Sequence, residues 1–295
     1  MTLLSLDELN RMDRKEFTAA LGDVFEHSPW IADQVQGARP FSGLAALYDA
    51  MTAAVRHAGA EQQMALIRAH PDLAGKAARE GSITADSKHE QSSAGLDRLS
   101  EAEYADFHKL NSAYRDKFGI PFIVCVRRHG KDSILRQFRR RLDNGEDAER
   151  KVALEEIFRI AGLRLDQRIA ASDRLNVHGR LSTHVLDTHG GHPAANVAVA
   201  LFEMFASGGS RLIAQAVTNA DGRTDKPLIA AQPVPIAEYE LRFDVGTYFS
   251  RSGVPSADPP FLGVVPIRFS VAEPEAHYHV PLLATPWSYS TYRGS

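Results

Sequence analysis

Cysteine is almost absent from this chain of 295 residues, which contains only Cys125. A lone cysteine excludes an internal disulfide and a cysteine-based zinc framework, so neither device shapes the fold. Cys125 stands in the apolar run IPFIVCV, and this context predicts a buried core residue rather than a reactive thiol.

Long apolar runs and a dominant charge are also missing. No run approaches the roughly 20 apolar residues that a bilayer helix needs. The opening stretch MTLLSLDELNRMDRKEF lacks the charged start and apolar centre of a signal peptide. The net charge is −3, which gives no broad basic surface for nucleic acid. We therefore expect a cytoplasmic protein whose partners include neither a membrane nor nucleic acid.

Proline and charge are unevenly distributed along the chain. Residues 1–170 hold 4 prolines and 51 charged residues, whereas residues 171–295 hold 11 prolines and 20 charged residues. The length suffices for two domains, each with its own core. We predict a helical domain at 1–170, a short linker at 171–177 and a sheet domain at 178–295.

Helical patterns dominate the first part. Ser5 with Glu8, and Ser100 with Glu103, have the spacing of capping boxes, which predicts helices from about residue 6 and about residue 101. Further segments show helical periodicity: 41–57, 61–69, 131–142 and 146–171. Together they predict an all-α bundle, and the joint at 170–176 could be the tail of its last helix.

Alternating patterns dominate the second part. Six segments read as strands: 181–186, 196–205, 212–218, 237–243, 265–271 and 278–283. The sequence Asn-Ala-Asp-Gly at 219–222 predicts a turn. These features predict a β-sandwich.

Four residues of the sheet domain carry functional chemistry: His184, Arg223, His277 and His279. The last two must share a face, because strand residues two apart point the same way. Each has an ordinary explanation as well: a satisfied strand histidine, a solvated turn charge or an exposed strand edge. Their combination is what indicates a site.

The segments around these residues, LSTHVLDT, TNADGR, HYHVPLL and YSTYRGS, resemble those of 5-hydroxyisourate hydrolase, the transthyretin-related enzyme of urate breakdown. The resemblance covers about residues 178–295. It implies a transthyretin-like sandwich and a homotetramer with active sites at subunit interfaces. It also implies catalytic residues His184, Arg223 and His279, and a terminal segment that binds substrate through Tyr292, Arg293, Gly294 and Ser295.

The chemistry agrees with this resemblance. Histidine is suited to deprotonating a water near neutral pH, and an arginine can stabilise a developing oxyanion. We expect His184 and His279 to activate the water and Arg223 to face the oxyanion, with His277 as a supporting residue of the substrate-binding set. Three histidines could instead hold zinc, although the nearby arginine opposes a dication. A carrier of small aromatic ligands is a further alternative, but it would have no use for these polar groups.

In the helical domain, the candidate residues are His70 with Pro71, then Ser87, Glu90 and Gln91, the turn Gly119, Ile120, Pro121, Phe122 and Ile123, and Arg164. Each alone could be a helix end, a surface charge or a packing residue. The segments HPDLAGKAA, EQSSAGL and FGIPFIVCV together resemble 2-oxo-4-hydroxy-4-carboxy-5-ureidoimidazoline (OHCU) decarboxylase, over about residues 5–168.

This second resemblance implies an all-α fold that commonly forms dimers, with His70 as the catalytic residue and the others as substrate-binding residues. The substrate carries a C=N bond beside the carboxylated carbon and can accept the released electrons itself, so we expect no cofactor and no metal. Together the two resemblances imply a bifunctional allantoin synthase acting on small-molecule substrates. The alternative is a chain with one active domain and one structural or ligand-binding module.

Overall fold

The computed structural model describes residues 3–75, 83–255 and 257–294. The chain divides into two compact units, Met1–Arg127 with Ser133–Val177, and Arg128–Asp132 with His178–Ser295. The first unit is built mainly from α-helices and the second mainly from β-strands. The predicted order of a helical part followed by a sheet part is confirmed.

The helices of the first part match the predicted pattern and add elements that periodicity did not reveal. Their bounds are α1 Leu6–Arg11, α2 Arg14–Leu21, α3 Trp30–Val35, α4 Leu44–His57, α5 Ala60–Arg68, α6 Ala85–Ser93, α7 Glu101–Phe118, α8 Lys131–Arg141 and α9 Glu146–Arg168. The expected helices at α1, α4, α5, α7, α8 and α9 are present. The short helices α2, α3 and α6 were missed.

Both predicted capping boxes are present. The Ser5 side chain accepts from the Glu8 amide while Glu8 accepts from the Ser5 amide, and Ser100 and Glu103 do the same at the start of α7. At the other end of α7, Gly119 adopts a φ of 65°, in the left-handed region. Glycine suits this position because it lacks the Cβ that disfavours positive φ.

Helix α9 lies at the centre of the helical core. From Ile160 to Asp166 every one of its residues is buried, whichever face of the helix it occupies. This stretch includes Arg164, and a charge in such a place must be paired, since an isolated buried charge is strongly unfavourable. The burial of α9 therefore creates the electrostatic requirement that shapes the pocket described below.

Helix α9 is shorter than predicted. Ile169 leaves the helix with φ −113° and ψ 125°, and strand β2, Ile169–Ala170, pairs in parallel with strand β1, Leu4–Ser5. The joint that follows is not helical either, so that expectation was wrong. Its Asp173 instead accepts hydrogen bonds from the amides of Leu44 (2.9 Å) and Ala45 (3.0 Å), which caps α4.

Two sheets form the second part. Their strands are β3 Gly179–Asp187, β4 His192–Pro193, β5 Ala198–Met204, β6 Ser210–Val217, β7 Ile229–Gln232, β8 Glu238–Asp244, β9 Val264–Ser270, β10 His277–Ala284 and β11 Tyr289–Thr291. One sheet has the order β11-β10-β3-β4, with β7 also on β3, and the other has the order β6-β5-β8-β9.

All six predicted strands are present, and the additions are short. Strands β4, β7 and β11 contain two to four residues. A helix, α10 Val245–Arg251, follows β8 and was not predicted; Asp244 caps it by accepting from the Thr247 amide. Elements this short offer too few residues for periodicity to be recognised.

The apolar residues of the sheets alternate between core and surface. Leu181, Val185, Leu241 and Leu282 are buried in the core of this part, whereas Arg180, His184 and Arg242, which neighbour them along their strands, are more exposed. No helix within the described ranges has the length and apolar character needed to cross a membrane.

Candidate active sites

The first candidate site lies on the outer face of the sheet that contains β3 and β10. These strands run in parallel, with Ser182 opposite His279 and His184 opposite Pro281. Because Leu181 and Thr183 point inward and are buried, the alternating Ser182 and His184 occupy the other face. The sequence alternation thus places the candidate histidines on one surface.

A turn brings Arg223 to His184. The Asn219 side chain accepts from the Arg223 amide (3.2 Å), and Gly222 has a φ of 71°. A Cβ on Gly222 would lie 2.3 Å from the Val185 carbonyl oxygen, so only glycine fits. The Val185 amide donates to the Gly222 carbonyl (2.8 Å), and His184 and Arg223 become bridge partners. The predicted turn at 219–222 is present.

The tail of the chain returns along β10 toward His279. Strand β11 pairs with the end of β10, and the Gly294 amide donates to the His279 carbonyl (2.8 Å) in the same antiparallel register. A Cβ on Gly294 would lie 2.7 Å from Cδ2 of His279. The tail therefore packs against a candidate catalytic ring.

The other terminal candidates differ in their surroundings. The Arg293 guanidinium lies over the ring of Tyr278, 4.8 Å from its centroid, which fixes it by a cation–π contact. Tyr292 is exposed. Ser295 lies outside the described residues, so its predicted part in substrate binding stays a prediction.

His184 and His279 share an electrostatic setting. Their ring centroids are 6.5 Å apart. Burial, followed by the positive charge of Arg223, lowers the pKa of each ring. Both rings are therefore neutral near pH 7, as a general base must be. Nε2 of His184 is buried and has no hydrogen-bond partner within the described part of the chain.

One residue of this site was missed by the sequence reasoning. The Ser182 hydroxyl lies 2.9 Å from Nε2 of His277 and 3.0 Å from Nδ1 of His279. The signal was available, because Ser182 stands two residues before His184 and must share its face. The hydroxyl links the two histidines of β10.

The second candidate site is a pocket among the helices. It encloses about 350 Å³ of empty space, part of it continuous with solvent. The end of α5, helix α6, the segment after α7 and helix α9 provide its wall. It is lined by His70, Pro71, Leu73, Ser87, Glu90, Gln91, Phe122, Ile123, Val124, Val126, Ile160 and Arg164. Residues predicted from three separate sequence motifs thus meet in one place.

His70 is held in one tautomer. Its Nδ1 lies 2.9 Å from the Leu66 carbonyl oxygen, which can only accept, so Nδ1 carries the proton. Burial lowers the pKa of His70 to about 4, so the ring is neutral at pH 7. Nε2, which bears the lone pair, is buried without a hydrogen-bond partner among the described residues. A neutral histidine with an unused nitrogen can accept or relay a proton.

Arg164 is paired with two carboxylates. It donates to both oxygens of Glu90 (2.8 and 2.9 Å) and to Oε2 of Glu26 (2.9 Å). Weaker contacts join it to the Ser87 hydroxyl (3.4 Å) and the Val24 carbonyl (3.3 Å). All three nitrogens of the guanidinium are therefore engaged before any ligand enters.

The two carboxylates respond differently to this arrangement. Burial raises the pKa of Glu90, and Arg164 only partly offsets that effect. For Glu26, burial is outweighed by Arg164 and by the Thr84 hydroxyl, which lower its pKa. Glu26 is thus the fixed anion of the cluster, and Glu90 is the one closer to protonation.

Glu26 was not predicted from the sequence. It lies between α2 and α3, in a stretch without a recognisable motif, and it is 1% exposed. Its partners Thr84, Ser87 and Arg164 are about 60 to 140 positions away along the chain. No local signal could have revealed it.

Gln91 is used to hold the loop after His70. Its side-chain oxygen accepts from the Ala74 amide (2.9 Å). Residues 76–78 of the HPDLAGKAA motif lie outside the described residues. Among the described part, this bond orients the loop that contains Pro71, so Gln91 shapes the pocket wall.

The segment after α7 forms another wall. Gly119 ends α7, Ile120 and Pro121 are buried, and the described pocket lining begins at Phe122 and Ile123. Arg141 donates to the Ile123 carbonyl (2.7 Å), which fixes the backbone there. Phe122 and Ile123 thus line the pocket, whereas Gly119, Ile120 and Pro121 are not among its lining residues, and the predicted part of this turn in substrate binding stays a prediction.

Among the residues that the structure describes, no group of three or more His, Cys, Asp or Glu side chains could hold a metal ion.

Comparison with known proteins gives two family matches, one to the helical part of the chain and one to the sheet part. A family model described as OHCU decarboxylase matches residues 10–166, and one described as the HIUase/Transthyretin family matches residues 181–294. The chain belongs to the OHCU decarboxylase family, and its second part to the HIUase/Transthyretin family. Both predicted resemblances are confirmed.

Individual relatives support each half. A 2-oxo-4-hydroxy-4-carboxy-5-ureidoimidazoline decarboxylase of Haloferax volcanii is 42% identical over 168 residues, which are 57% of this chain and 98% of that protein. A 5-hydroxyisourate hydrolase of Deinococcus radiodurans is 55% identical over 119 residues, 40% of this chain and 98% of that protein. A crystal structure of (S)-allantoin synthase, 34% identical, covers 99% of this chain and 100% of its own, with a TM-score of 0.53.

Proposed function

We propose that this chain catalyses two consecutive reactions of urate breakdown. The sheet site hydrolyses 5-hydroxyisourate to OHCU, and the helical pocket decarboxylates OHCU to (S)-allantoin. The observation that carries the proposal is the separate assembly of two sites, with His184, Arg223 and His279 adjoining one another on the sheet and His70, Glu90 and Arg164 lining one pocket.

At the sheet site, the reaction needs a deprotonated water and a cation near the carbonyl oxygen. His184 and His279 are neutral at pH 7 because burial and Arg223 lower their pKa values, so either can accept a proton from the water. Arg223 then stabilises the oxyanion that forms when the water adds to the ring carbonyl. The tail at Tyr292–Gly294 lies beside His279 and would orient the polar groups of the ring.

The sheet site is open in a single chain. Arg223, His277 and Tyr292 are exposed, which is a poor setting for stabilising charge, because water screens it. We propose that a second copy covers this face in a homotetramer formed through the sheet part. The hydrolase rate per chain should then fall on dilution into the range where light scattering shows dissociation, while the decarboxylase rate per chain should fall only if the helical parts need to pair as dimers.

At the helical pocket, no cofactor is required by the chemistry. When carbon dioxide leaves, the bonding electrons flow into the adjacent ring C=N bond, which makes the substrate its own electron sink. The protein must hold the breaking C–C bond perpendicular to the ring and deliver a proton to one face. Delivery from one side gives a single enantiomer of allantoin.

The contacts of the pocket suggest how the roles are divided. Arg164 is already bonded to Glu26 and Glu90, so we propose that it orients Glu90 rather than binding the substrate carboxylate alone. Glu90 would accept N–H groups of the ureido arm, and Ser87 lies in the same cluster. His70, whose Nε2 has no hydrogen-bond partner among the described residues, would contact the 4-hydroxyl and assist the proton transfer.

The deciding experiment supplies both unstable substrates to the purified protein. Freshly generated 5-hydroxyisourate should lose its ultraviolet absorbance faster than in buffer, and circular dichroism should show optically active allantoin accumulating. Loss of absorbance without optically active product would leave only the hydrolase. Binding of 5-hydroxyisourate without turnover would indicate a carrier and would overturn the hydrolase assignment.

A further inference from the structure

Three side chains on the outer face of β3 and β10, those of Ser182, His277 and His279, form a hydrogen-bonded row that has no role in the mechanism above. Ser182 on β3 is 8% exposed. Its hydroxyl lies between two rings of β10, 2.9 Å from Nε2 of His277 and 3.0 Å from Nδ1 of His279. His277 is exposed, and His279 is only partly so. The row therefore runs from the candidate base to the surface of the chain.

A hydroxyl has a single proton, so it must donate to one of these nitrogens and accept from the other. If His279 is to take a proton from water at Nε2, its Nδ1 must carry the ring proton. Nδ1 of His279 then donates to the Ser182 oxygen, and the Ser182 hydroxyl donates to Nε2 of His277. The geometry and the catalytic requirement together select this direction.

The chemistry of ring opening gives such a row a use. The base takes a proton from the water that adds to the ring carbonyl, and the site holds this proton until the C–N bond breaks and the departing nitrogen takes it. During that interval a positive charge on His279 is unfavourable, because burial and Arg223 disfavour the charged ring. A row that transfers the charge to the exposed His277, where water screens it, stabilises the intermediate.

We propose that Ser182 and His277 form a proton relay behind His279. This inference rests on the proposed hydrolase function of the sheet site. As His279 accepts the water proton at Nε2, the proton on its Nδ1 passes to the Ser182 oxygen, and the Ser182 proton passes to Nε2 of His277. No bond of the substrate is changed by this step. When the ring C–N bond breaks, Nε2 of His279 gives its proton to the departing nitrogen. The proton on Nε2 of His277 then returns to Ser182, and the Ser182 proton returns to Nδ1 of His279, which restores the row. The new carboxylic acid releases its own proton to solvent.

A purely structural alternative makes a different prediction. If Ser182 only fixed the orientation of the rings, a glutamine at position 277 would serve nearly as well, because its amide can still accept from the hydroxyl. A relay fails with glutamine, which does not take up and release a proton near pH 7. The His277→Gln variant therefore separates the two roles.

The test measures 5-hydroxyisourate hydrolysis by the full chain. Ser182→Ala should lower kcat about tenfold, less than the roughly 10²- to 10⁴-fold expected when a general base itself is lost, with little change in KM. Ser182→Thr keeps a hydroxyl and should retain most of the wild-type rate. His277→Gln should lower kcat similarly, and added imidazole should restore part of it. Ser270→Ala, at an exposed serine on β9, is the matched control. Decarboxylase activity checks that the helical part is intact, and circular dichroism checks that the sheet part is folded.

The outcomes are distinct. Wild-type kcat in both Ser182→Ala and His277→Gln would overturn the relay, and so would a loss in His277→Gln that imidazole does not restore. If Ser182→Thr were as slow as Ser182→Ala while remaining folded, the hydroxyl would not be the operative group and the relay would also fail. A wild-type protein with no hydrolase activity would instead overturn the proposed function on which the relay depends.

Discussion

The two candidate sites differ in whether their charged side chains are buried and paired. In the helical pocket, Arg164 and Glu26 are almost fully buried and their charges are paired with each other. On the sheet, Arg223 is exposed, and its charge lowers the pKa values of two partly exposed histidines. One site is electrostatically complete within a chain, and the other gains the low-dielectric surroundings it needs only if something covers it.

This difference teaches where each site is vulnerable. A buried network loses much of its stability when one member is removed, because the remaining charge is left unpaired. An exposed site tolerates substitution but depends on the precise placement of a few side chains by turns and tails. Substitutions should therefore affect folding and activity together in the pocket, and activity alone on the sheet.

The largest effect should come from exchanging the candidate bases. His279→Asn should slow hydrolysis by about 10² to 10⁴-fold and leave decarboxylation unchanged, and His70→Asn should do the reverse, because proton transfer at each site depends on its own histidine. Both rates are measured on the same preparation. His57→Asn, at an exposed position on α4, should change neither. If either active-site variant lost both activities while still folded, the sites would not be independent.

The next effect concerns stability in acid. The pKa of His70 is lowered to about 4 in the folded protein, against about 6.5 when unfolded, so the unfolded chain binds the extra proton. The stabilisation is fully present above pH 6.5 and is lost as the pH falls toward 4, by on the order of 3 kcal/mol. Urea unfolding followed by circular dichroism at 222 nm should show this loss.

The His70→Asn variant provides the comparison for that experiment. It should lose less stability between pH 6.5 and pH 4 than the wild type, whatever its stability at pH 7. His57→Asn should keep the wild-type slope. Equal slopes for the wild type and His70→Asn would contradict a buried, neutral His70.

A smaller effect is expected at Glu26. Glu26→Gln removes the negative charge beside Arg164 while keeping the shape of the side chain, and the guanidinium then loses one of the two carboxylates that lie 2.9 and 2.8 Å from it. Decarboxylation should slow about tenfold, the scale of one charge-assisted contact, and hydrolysis should be unaffected. Glu61→Gln, at an exposed acid on α5, is the control. Wild-type decarboxylation in Glu26→Gln would show that Glu90 and Ser87 alone position the arginine.

The smallest effect should come from the tail of the sheet site. Gly294→Ala places a methyl group 2.7 Å from Cδ2 of His279, so the ring must turn, and hydrolysis should slow about threefold to tenfold through misplacement of the base. Gly263→Ala meets no atom within 4 Å and serves as the matched control. Equal hydrolysis rates in the two variants would mean that the tail does not position His279.

The sequence was sufficient for those parts of the fold whose signal is local. The capping boxes at Ser5 and Ser100 each depend on residues only three positions apart, and the alternation in β3 and β10 depends on adjacent residues. The structure contains each of these features. The turn at 219–222 could also be predicted from the sequence, because Asn219 and Gly222 are themselves the residues that its geometry requires. In short elements such as α6 and β7, the apolar residues show no helical or strand periodicity from which the element could be predicted.

The candidate sites were only partly predictable for the same reason. Single residues such as His70 and Arg164 were named through family-like motifs, but Glu26 depends on contacts across 138 positions of the chain. Ser182 was within a recognised motif, yet its role follows from the register that sets it opposite His279. Pairing between distant segments is decided by tertiary packing, which a single sequence does not display.

The burial of Cys125 has a practical consequence for measuring this protein in solution. Its side chain is 1% exposed, and the sequence contains no second thiol. A cysteine introduced at an exposed position should therefore react selectively with a maleimide dye under native conditions. Two such positions, one in each half, would permit energy-transfer measurements of the spacing between the halves without first deleting a native residue.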